Sequence, residues 1–252
     1  MSAVLAYNNR FHVTADKPAT FTSADFDSSP AIANLGRAQL PLFAQFTGAT
    51  ADLDCEANDG GSNPVAFDAD VFAVLGLEDF DNGAEVEFLN GSTSLGTVTI
   101  ETAPLGGNHA ILVLDSSVNL DTLTVSFTGA GSGAHKVGAI WASESLRFSP
   151  TAVVSFDGLD TGITSFSQGN TAWAYGGQNY VTHAIRCRTR SYLDWLTALR
   201  SAKSNSPVLY QLEQRLLTDP LIKAYGYLDN GWNLSHFENS IYDASARLVE
   251  VL

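Results

Sequence analysis

The sequence is poor in cysteine, in basic residues and in long apolar runs. Its only cysteines, Cys55 and Cys187, exclude a dense disulfide framework and a zinc site built from four thiolates. Lys and Arg number 13 against 27 Asp and Glu. The resulting formal charge of -14 argues against a protein that binds nucleic acid across its surface. Because no apolar run reaches about 18 residues, we expect no membrane-spanning helix.

The sequence also lacks the motifs that usually mark catalytic and metal sites. No Gly-x-Ser-x-Gly pattern occurs, which argues against a nucleophile elbow. The glycine-rich residues 129–133 lack the Lys-Ser/Thr ending of a phosphate-binding loop, so we interpret them as a loop between strands. The five histidines are scattered without the i, i+4 spacing of helical metal ligands, and we interpret His109 and His183 as ordinary strand residues. We therefore predict a non-enzymatic chain with no catalytic residue, cofactor or metal ion.

The two parts of the sequence differ in charge. Residues 1–150 contain 5 Lys or Arg and 18 Asp or Glu, for -13, whereas residues 151–252 contain 8 and 9, for -1. Such an asymmetry is typical of two modules, and the Ser-Pro-Thr at 149–151 offers a junction because proline interrupts regular pairing. We predict a mainly β protein, with a β-sandwich or jelly roll over 1–150 and an α+β domain over 151–252.

The first part reads as short strands separated by Gly, Asn and Asp, without an amphipathic helix longer than two turns. Several segments alternate in hydrophobicity as half-buried antiparallel strands do; Leu123, Val125 and Phe127 share one face of such a segment. Strands at this spacing favour two packed sheets. The predicted strands are 40–46, 70–76, 84–89, 95–101, 109–114, 122–128 and 136–142.

The second part contains the best helix signal of the chain, at 191–203. Ser191 can cap its first turn, and Tyr192, Trp195, Leu196 and Leu199 form one apolar stripe. In the last predicted strand, Ala244, Ala246 and Leu248 share a face with Tyr242, opposite Asp243, Ser245 and Arg247. The remaining predicted elements are strands at 151–156, 179–188, 208–210, 222–228, 232–237 and 241–252 and a helical turn at 211–217.

Two acidic clusters have residue types that bind cations or act in catalysis. Alternate carboxylates in a polar loop supply hard oxygen ligands, and paired carboxylates act in glycoside hydrolysis. The spacing does not match a helix-flanked calcium loop, so we favour a solvated surface. The clusters are Asp52, Asp54, Glu56 and Asp59, and Glu78, Asp79 and Asp81.

Three arginines stand on alternate positions in an otherwise acidic chain: Arg186, Arg188 and Arg190. On a strand over 179–190 they project from one face at intervals of roughly 7 Å. One interpretation is a solvated face, or an edge strand that charge protects from unwanted pairing. The other is a contact with an acidic surface, such as the acidic part of a neighbouring copy.

An aromatic segment at 166–180 is a second candidate binding surface. Trp173 and Tyr175 lie there among Gly, Asn, Ser and Gln, together with Phe166 and Tyr180. Such side chains anchor protein interfaces or stack against sugars, and core packing accounts for them equally well. Trp173 and Tyr175 join the three arginines as predicted partner-binding residues.

Several segments together carry a family resemblance. The first part has Pro30-Ala-Ile-Ala-Asn34-Leu35, an apolar strand ending in Leu75-Gly76, and Trp141-Ala142 before Pro150. The second has Pro-Val-Leu-Tyr at 207–210, Tyr-Gly-Tyr-Leu at 225–228 and a closing strand Arg-Leu-Val-Glu-Val at 247–251. This pattern resembles structural proteins of tailed-bacteriophage tails and baseplates, which pair a galactose-binding-like jelly roll with a small α+β domain.

The resemblance implies a structural or adaptor subunit that acts through protein–protein contacts in a symmetric assembly. Its implied partners are other virion tail proteins and copies of itself, with no nucleic acid. Residues 1–13 show no secretory signal pattern, so we expect synthesis in the cytoplasm, and the resemblance implies a final location in the virion tail. The alternative is a carbohydrate-binding, receptor-recognition module, because jelly rolls with aromatic-bearing loops hold sugars.

Overall fold

The computed structural model describes residues 3–13, 18–37, 40, 42–59, 63–100, 108–148, 156–160, 180–203, 207–212, 222–228 and 233–250. Two compact units make up the chain. We call Asn8–Ser145 the jelly-roll unit, and Met1–Tyr7 together with Leu146–Leu252 the C-terminal unit. No helix in the described ranges has both the length and the apolarity needed to cross a membrane.

Strands dominate both units, as the alternating segments predict. A short 3-10 helix spans Ile32–Gly36, and helix α1 spans Tyr192–Lys203. The strands are β1 Ala3–Ala6, β2 Ala19–Thr22, β3 Ala44–Thr47, β4 Ala51–Ala57, β5 Phe67–Leu75, β6 Glu85–Asn90, β7 Thr93–Thr99, β8 Ala110–Leu120, β9 Thr122–Thr128, β10 Ala134–Val137, β11 Ala139–Ser143, β12 Ser145–Phe148, β13 Phe156–Asp160, β14 Tyr180–Thr189, β15 Val208–Leu212, β16 Ile222–Leu228, β17 Asn233–Glu238 and β18 Ile241–Glu250.

The jelly-roll unit is built from antiparallel sheets around one apolar core. A five-stranded sheet has the order β2-β4-β9-β6-β7, and the other sheets have the orders β11-β5-β8 and β10-β3. Alternation sets which side chains face inward: Leu123, Val125 and Phe127 of β9 are fully buried, as predicted, while their neighbours face outward. The predicted mainly β fold with a sandwich at its start is therefore confirmed.

Aromatic rings fill much of this core. Phe46 and Phe127 lie 5.2 Å apart between ring centroids, and Phe72 and Phe88 lie 6.1 Å apart. All four side chains are 0% exposed. Burying each such side chain stabilises the fold by about 1.5–3 kcal/mol, so these four rings serve mainly to hold the sheets together.

The C-terminal unit is a sheet with one helix packed against it. The sheet has the order β12-β1-β15-β16-β18-β14-β13, and β17 also pairs with β18. Its core holds Trp195 and Leu199 of α1 together with Ala244, Ala246 and Leu248 of β18, which confirms the predicted inward face of that strand. Strand β1 pairs with β15, so a segment of the predicted first domain, 1–150, belongs to the C-terminal unit. The predicted division into 1–150 and 151–252 does not include this pairing, because pairing between distant segments leaves no local signal.

Some predicted elements match and others change. The bounds 122–128 and 222–228 coincide with β9 and β16, and the predicted loop 129–133 joins β9 to β10. The predicted strand 136–142 is divided at Gly138, whose added Cβ would lie 3.1 Å from two backbone oxygens. The acidic segment 52–59, interpreted as a loop, is largely strand β4.

Other predictions fall partly outside the described residues. Of the predicted strand 151–156 only Phe156 is described, in β13. The predicted turn 211–217 begins inside β15, and its remainder lies outside the described ranges. Ser191 does not cap α1 with its hydroxyl in the described residues; its N–H instead donates to Thr189 Oγ1 at 2.9 Å.

Candidate functional site

A small polar pocket opens at one end of the jelly-roll unit. It lies where β5 ends, β7 ends and β8 begins, and its volume is about 150 Å³. A cavity of about this volume holds a six-membered ring. Its lining combines two carboxylates, two carboxamides and three apolar side chains: Asp79, Asp81, Asn82, Asn108, Leu77, Phe80 and Ile100.

The loop that carries the pocket begins at a glycine. Gly76 ends β5 with φ +63, a conformation that side-chain-bearing residues rarely adopt. Its N–H donates to His109 Nδ1 at 3.1 Å, and the Leu77 N–H donates to the Asn108 carbonyl at 3.0 Å. These two bonds join the loop to the start of β8, which brings Asn108 to the same pocket as residues some thirty positions earlier in the chain.

Strand β10 holds the loop from the other side. Glu78 and Lys136 exchange two backbone hydrogen bonds of 3.1 Å, and His135 Nδ1 lies 2.6 Å from the Asp79 carbonyl oxygen. Because a carbonyl oxygen only accepts, Nδ1 is the donor. The His135 ring also packs between Phe46 and Phe80, at 5.2 and 5.0 Å between ring centroids. The loop is therefore held in place before any ligand arrives.

An ion pair sits on the rim of this loop. Lys136 Nζ lies 2.8 Å from Glu78 Oε2 and 3.8 Å from Asp79 Oδ2. The hydrogen bond to Glu78 and its negative charge raise the pKa of Lys136, so the amine stays charged at physiological pH. Asp79 remains 65% exposed and keeps hydrogen-bonding capacity that Lys136 does not use. The rim beside this ion pair is therefore polar.

The pocket is suited to binding a ligand with many hydroxyl groups. Carboxylates accept hydrogen bonds, and carboxamides both donate and accept them, while Leu77, Phe80 and Ile100 offer apolar contact. Asp81 is held close to the backbone: a Cβ added at Gly131 would lie 2.7 Å from Asp81 Oδ2. In the described part of the chain, no group of three or more His, Cys, Asp or Glu has the geometry of a metal site.

The acidic clusters of the sequence have different positions in the fold. Of the second cluster, Asp79 and Asp81 line the pocket, whereas the sequence analysis favoured a solvated surface for both clusters. Asn82 and Asn108 were missed, because a single amide in a loop carries no pattern. The first cluster lies on β4, where Asp52 and Asp54 face outward while Leu53 and Cys55 are buried. Alternation of the strand, not a loop, sets the spacing of those carboxylates.

The predicted partner-binding arginines lie in the C-terminal unit. Arg188 faces outward from β14: its guanidinium stacks on the Phe237 ring at 4.1 Å, and its Nε donates to Asp243 Oδ1 at 3.1 Å. Arg190 is exposed just after the strand. Arg186 lies opposite Ser245 in the strand register, and its side chain is outside the described residues. Trp173 and Tyr175 lie outside the described residues entirely.

A second set of aromatic side chains lies on the other face of the same strands. Tyr192 at the start of α1 is 4.9 Å from Tyr242 between ring centroids, and His236 meets Tyr242 edge-on at 5.5 Å. Leu193 beside them is 72% exposed. Sequence reasoning placed Tyr242 on this face but did not find Phe237 or His236, because their partners come from non-adjacent segments.

The two thiols are buried and therefore poorly reactive. Burial raises the pKa of Cys187 to about 12, and burial with the adjacent Asp54 charge raises that of Cys55 well above its ordinary range. Both side chains are at most 1% exposed. A thiolate is the reactive form of cysteine, so neither residue is suited to nucleophilic chemistry.

No protein-family model matches the sequence, and no curated protein does either. Among solved structures, the chain is similar to the family 32 carbohydrate-binding module of Clostridium perfringens NanJ in complex with galactose. The TM-score is 0.41 and the identity 12%, over 55% of this chain and 98% of that module. A fucose-binding module of Streptococcus pneumoniae gives a TM-score of 0.38 and 7% identity over 54% of this chain and 95% of that one.

A third similar structure is a fucosidase of Ruminococcus gnavus in complex with fucose. The TM-score is 0.41 and the identity 11%, and the match covers 55% of this chain but only 27% of the fucosidase. Nothing in these three similarities indicates a bacteriophage tail or baseplate protein. With identities and TM-scores this low, no ligand or activity is transferred from them to this chain.

Proposed function

We propose that the chain is a non-catalytic binding protein whose jelly-roll unit binds a carbohydrate in the pocket at the end of β5. The observation that carries this proposal is the lining of the pocket: Asp79 and Asp81 beside Asn82 and Asn108, with apolar side chains between them. Ligand sites typically combine an apolar lining with a few polar groups that fix orientation. This is the alternative function that the sequence analysis left open.

The chemistry of the lining favours a neutral sugar over other small ligands. Each sugar hydroxyl both donates and accepts, so it satisfies a carboxylate and a carboxamide in turn. Hydrogen bonds to a charged carboxylate are stronger than those between neutral groups. An anionic ligand meets repulsion from the two carboxylates, and a large aromatic ligand exceeds a cavity of about 150 Å³. A monosaccharide unit fits both the size and the polarity.

Substitution of the pocket carboxylate provides the first test. Asp81→Asn keeps the shape of the side chain but removes its charge, so we expect sugar affinity to fall at least about tenfold, or 1.4 kcal/mol. The measurement is a glycan-array screen with the wild type, followed by calorimetric titration of the best sugar into both proteins. Thermal unfolding reports whether the substitution also changes the fold.

Asp121→Asn is the matched control. Asp121 lies in the exposed turn between β8 and β9, at the opposite end of β8 from Asn108. We therefore expect this variant to bind the sugar with the same affinity as the wild type. Absence of binding to every sugar on the array contradicts the proposal, as does an Asp81→Asn variant that folds and binds as the wild type does.

The second candidate is the role implied by the family resemblance: a structural or adaptor subunit of a bacteriophage tail or baseplate, located in the virion tail. One observation favours a protein partner. Phe237 is 46% exposed and carries the Arg188 guanidinium on its ring. Aromatic residues and arginine are enriched at interfaces and among the residues that dominate binding energy.

Fractionation of phage particles tests this second role. If the chain is a tail subunit, it remains with purified tails through density-gradient sedimentation, and an antibody against it labels tails in electron micrographs. Recovery of the chain only in the soluble fraction of the lysate, with unlabelled tails, contradicts a structural role. The result of this fractionation does not bear on sugar binding. A chain in the tail that recognises a receptor and a free binding protein would both use the same pocket.

A further inference from the structure

The C-terminal unit carries an outward-facing surface that is rich in arginine. Strands β14 and β18 pair so that Arg188 lies opposite Asp243 and Ala184 opposite Arg247. Because Ile185, Cys187 and the alternate residues of β18 are buried, Arg188 and Arg247 face outward. We call this surface, with Phe237 of β17, the arginine face.

The arginine face has hydrogen-bonding capacity that the described residues do not use. Only the Nε of Arg188 donates a hydrogen bond to Asp243. The two terminal guanidinium nitrogens of Arg188 have no partner in the described residues. Arg247 and Arg190 are exposed and form no ion pair within the described part of the chain. A guanidinium presents its donors in a planar fork that matches a carboxylate. Stacking on Phe237 fixes the plane of Arg188 without consuming that fork.

The jelly-roll unit carries a surface of opposite charge. On β4, Asp52, Asp54 and Glu56 face outward because Leu53 and Cys55 point into the core. In the strand register Asp52 lies opposite Ser126, which lies opposite Glu87 of β6. The carboxylates of Asp52 and Glu87 have no hydrogen-bond partner in the described residues. We call this surface the acidic face.

The two faces match in charge. Residues 1–150 hold nearly all the net charge, -13 against -1 for residues 151–252. Complementary potentials of this kind set orientation and speed encounter.

We propose that the arginine face of one copy binds the acidic face of a second copy. The inference deepens the second proposed function, on which it rests, by naming the surfaces that meet. A sugar is a poor occupant of the arginine face, because the Arg188 guanidinium covers the Phe237 ring on which a sugar would stack. The acidic face of another copy supplies carboxylates at the same concentration as the arginines.

Charge-reversal variants test the proposal by sedimentation velocity. The wild type associates at about 20 mM salt and dissociates at about 500 mM, where screening is strong. Arg188→Glu with Arg247→Glu, and separately Asp52→Arg with Glu87→Arg, each weaken association at least about tenfold. Circular dichroism and thermal unfolding report whether each variant folds. Arg200→Glu, an exposed position on α1, is the matched control and associates as the wild type does.

A mixture of the two charge-reversed proteins is the decisive sample. The first protein keeps an intact acidic face and the second an intact arginine face, so mixing restores association that neither shows alone. A wild type that stays monomeric at low salt overturns the proposal. So do folded variants that associate normally, or a mixture that fails to associate.

The outcome separates this inference from the tail role. Tails that contain the chain, with a purified chain that stays monomeric, leave the second proposed function standing and remove the docking of the two faces. Self-association through the two faces, with no chain in purified tails, supports the docking of the two faces and removes the second proposed function.

Discussion

At the scale of single residues, Gly76 controls the geometry of the pocket. Its φ of +63 turns the chain out of β5, and an added Cβ would lie 3.3 Å from the Gly138 Cα. Its N–H is also the donor to His109. Any other residue here strains the backbone and displaces the loop that carries Asp79 and Asp81, so this position matters to the site without lining it.

The buried thiols give the fold a defined pH dependence. The folded pKa of Cys187, about 12, lies above its ordinary value of 9.0, so as pH rises the unfolded chain loses its thiol proton first. Thiolate formation then stabilises the unfolded state. The stability that the raised pKa of the buried thiol gives the folded state is fully present below about pH 8 and is lost progressively above about pH 9. We expect the free energy of unfolding to fall by about 1.4 kcal/mol per buried thiol at about pH 10.

Urea unfolding at several pH values checks this prediction. Cys187→Ala removes one thiol, so the decline with pH becomes shallower by that amount, while Tyr210 and Tyr225, whose pKa values burial also raises, continue to contribute at higher pH. Equal slopes for the variant and the wild type would show that Cys187 titrates normally in the folded chain.

At the scale of elements, helix α1 illustrates how one face of a helix carries its stability. Trp195 and Leu199 are 0% exposed, and Phe148 meets Trp195 at 5.1 Å between ring centroids. The predicted stripe began at Tyr192, but that residue is 37% exposed. It lies at the first helical position, beyond the reach of the sheet core, and contacts Tyr242 instead.

Two leucines of this helix provide a matched pair of substitutions. Leu199→Ala removes a fully buried side chain, and such changes cost about 2–5 kcal/mol. Leu193→Ala makes the same chemical change at a position that is 72% exposed, so we expect less than about 0.5 kcal/mol. Chemical denaturation of both variants measures the difference. Similar losses at the two positions would contradict the packing described for α1.

Strand β4 shows the same logic in a sheet. Burial alternates along Ala51–Ala57, because successive side chains point to opposite faces. The inward residues join the core, and the outward carboxylates take hydroxyl partners across the sheet, as when Thr124 Oγ1 donates to Asp54 at 2.6 Å. This cross-strand bonding explains why a run of acidic residues is compatible with a central strand.

At the scale of the whole molecule, the proposed contact joins two different surfaces, so each copy offers one face to each of two neighbours. If one pair of copies does not make the contact twice, the copies form a ring or a filament. We expect the light-scattering mass at low salt to rise with concentration beyond that of a dimer. A mass that saturates at two copies would show that each pair makes the contact twice, which contradicts assembly beyond a dimer.

Much of this architecture could be predicted from local patterns. Alternation predicted β9 and the inward face of β18, an apolar stripe predicted α1, and glycine-rich segments predicted the loop between β9 and β10. In each case the signal lies within about ten consecutive residues. Strands β1, β2 and β12 were missed because each is a four-residue segment, too short for a period to be recognised.

The sequence by itself determined the class of fold and the uneven charge. Those properties depend on composition and on neighbours along the chain. Only the tertiary structure decided that Asn108 joins Asp81 in one pocket and that Arg188 stacks on Phe237, because hydrogen bonds and packing between distant strands create both groupings. Register across a sheet has no counterpart in the order of residues along a single strand.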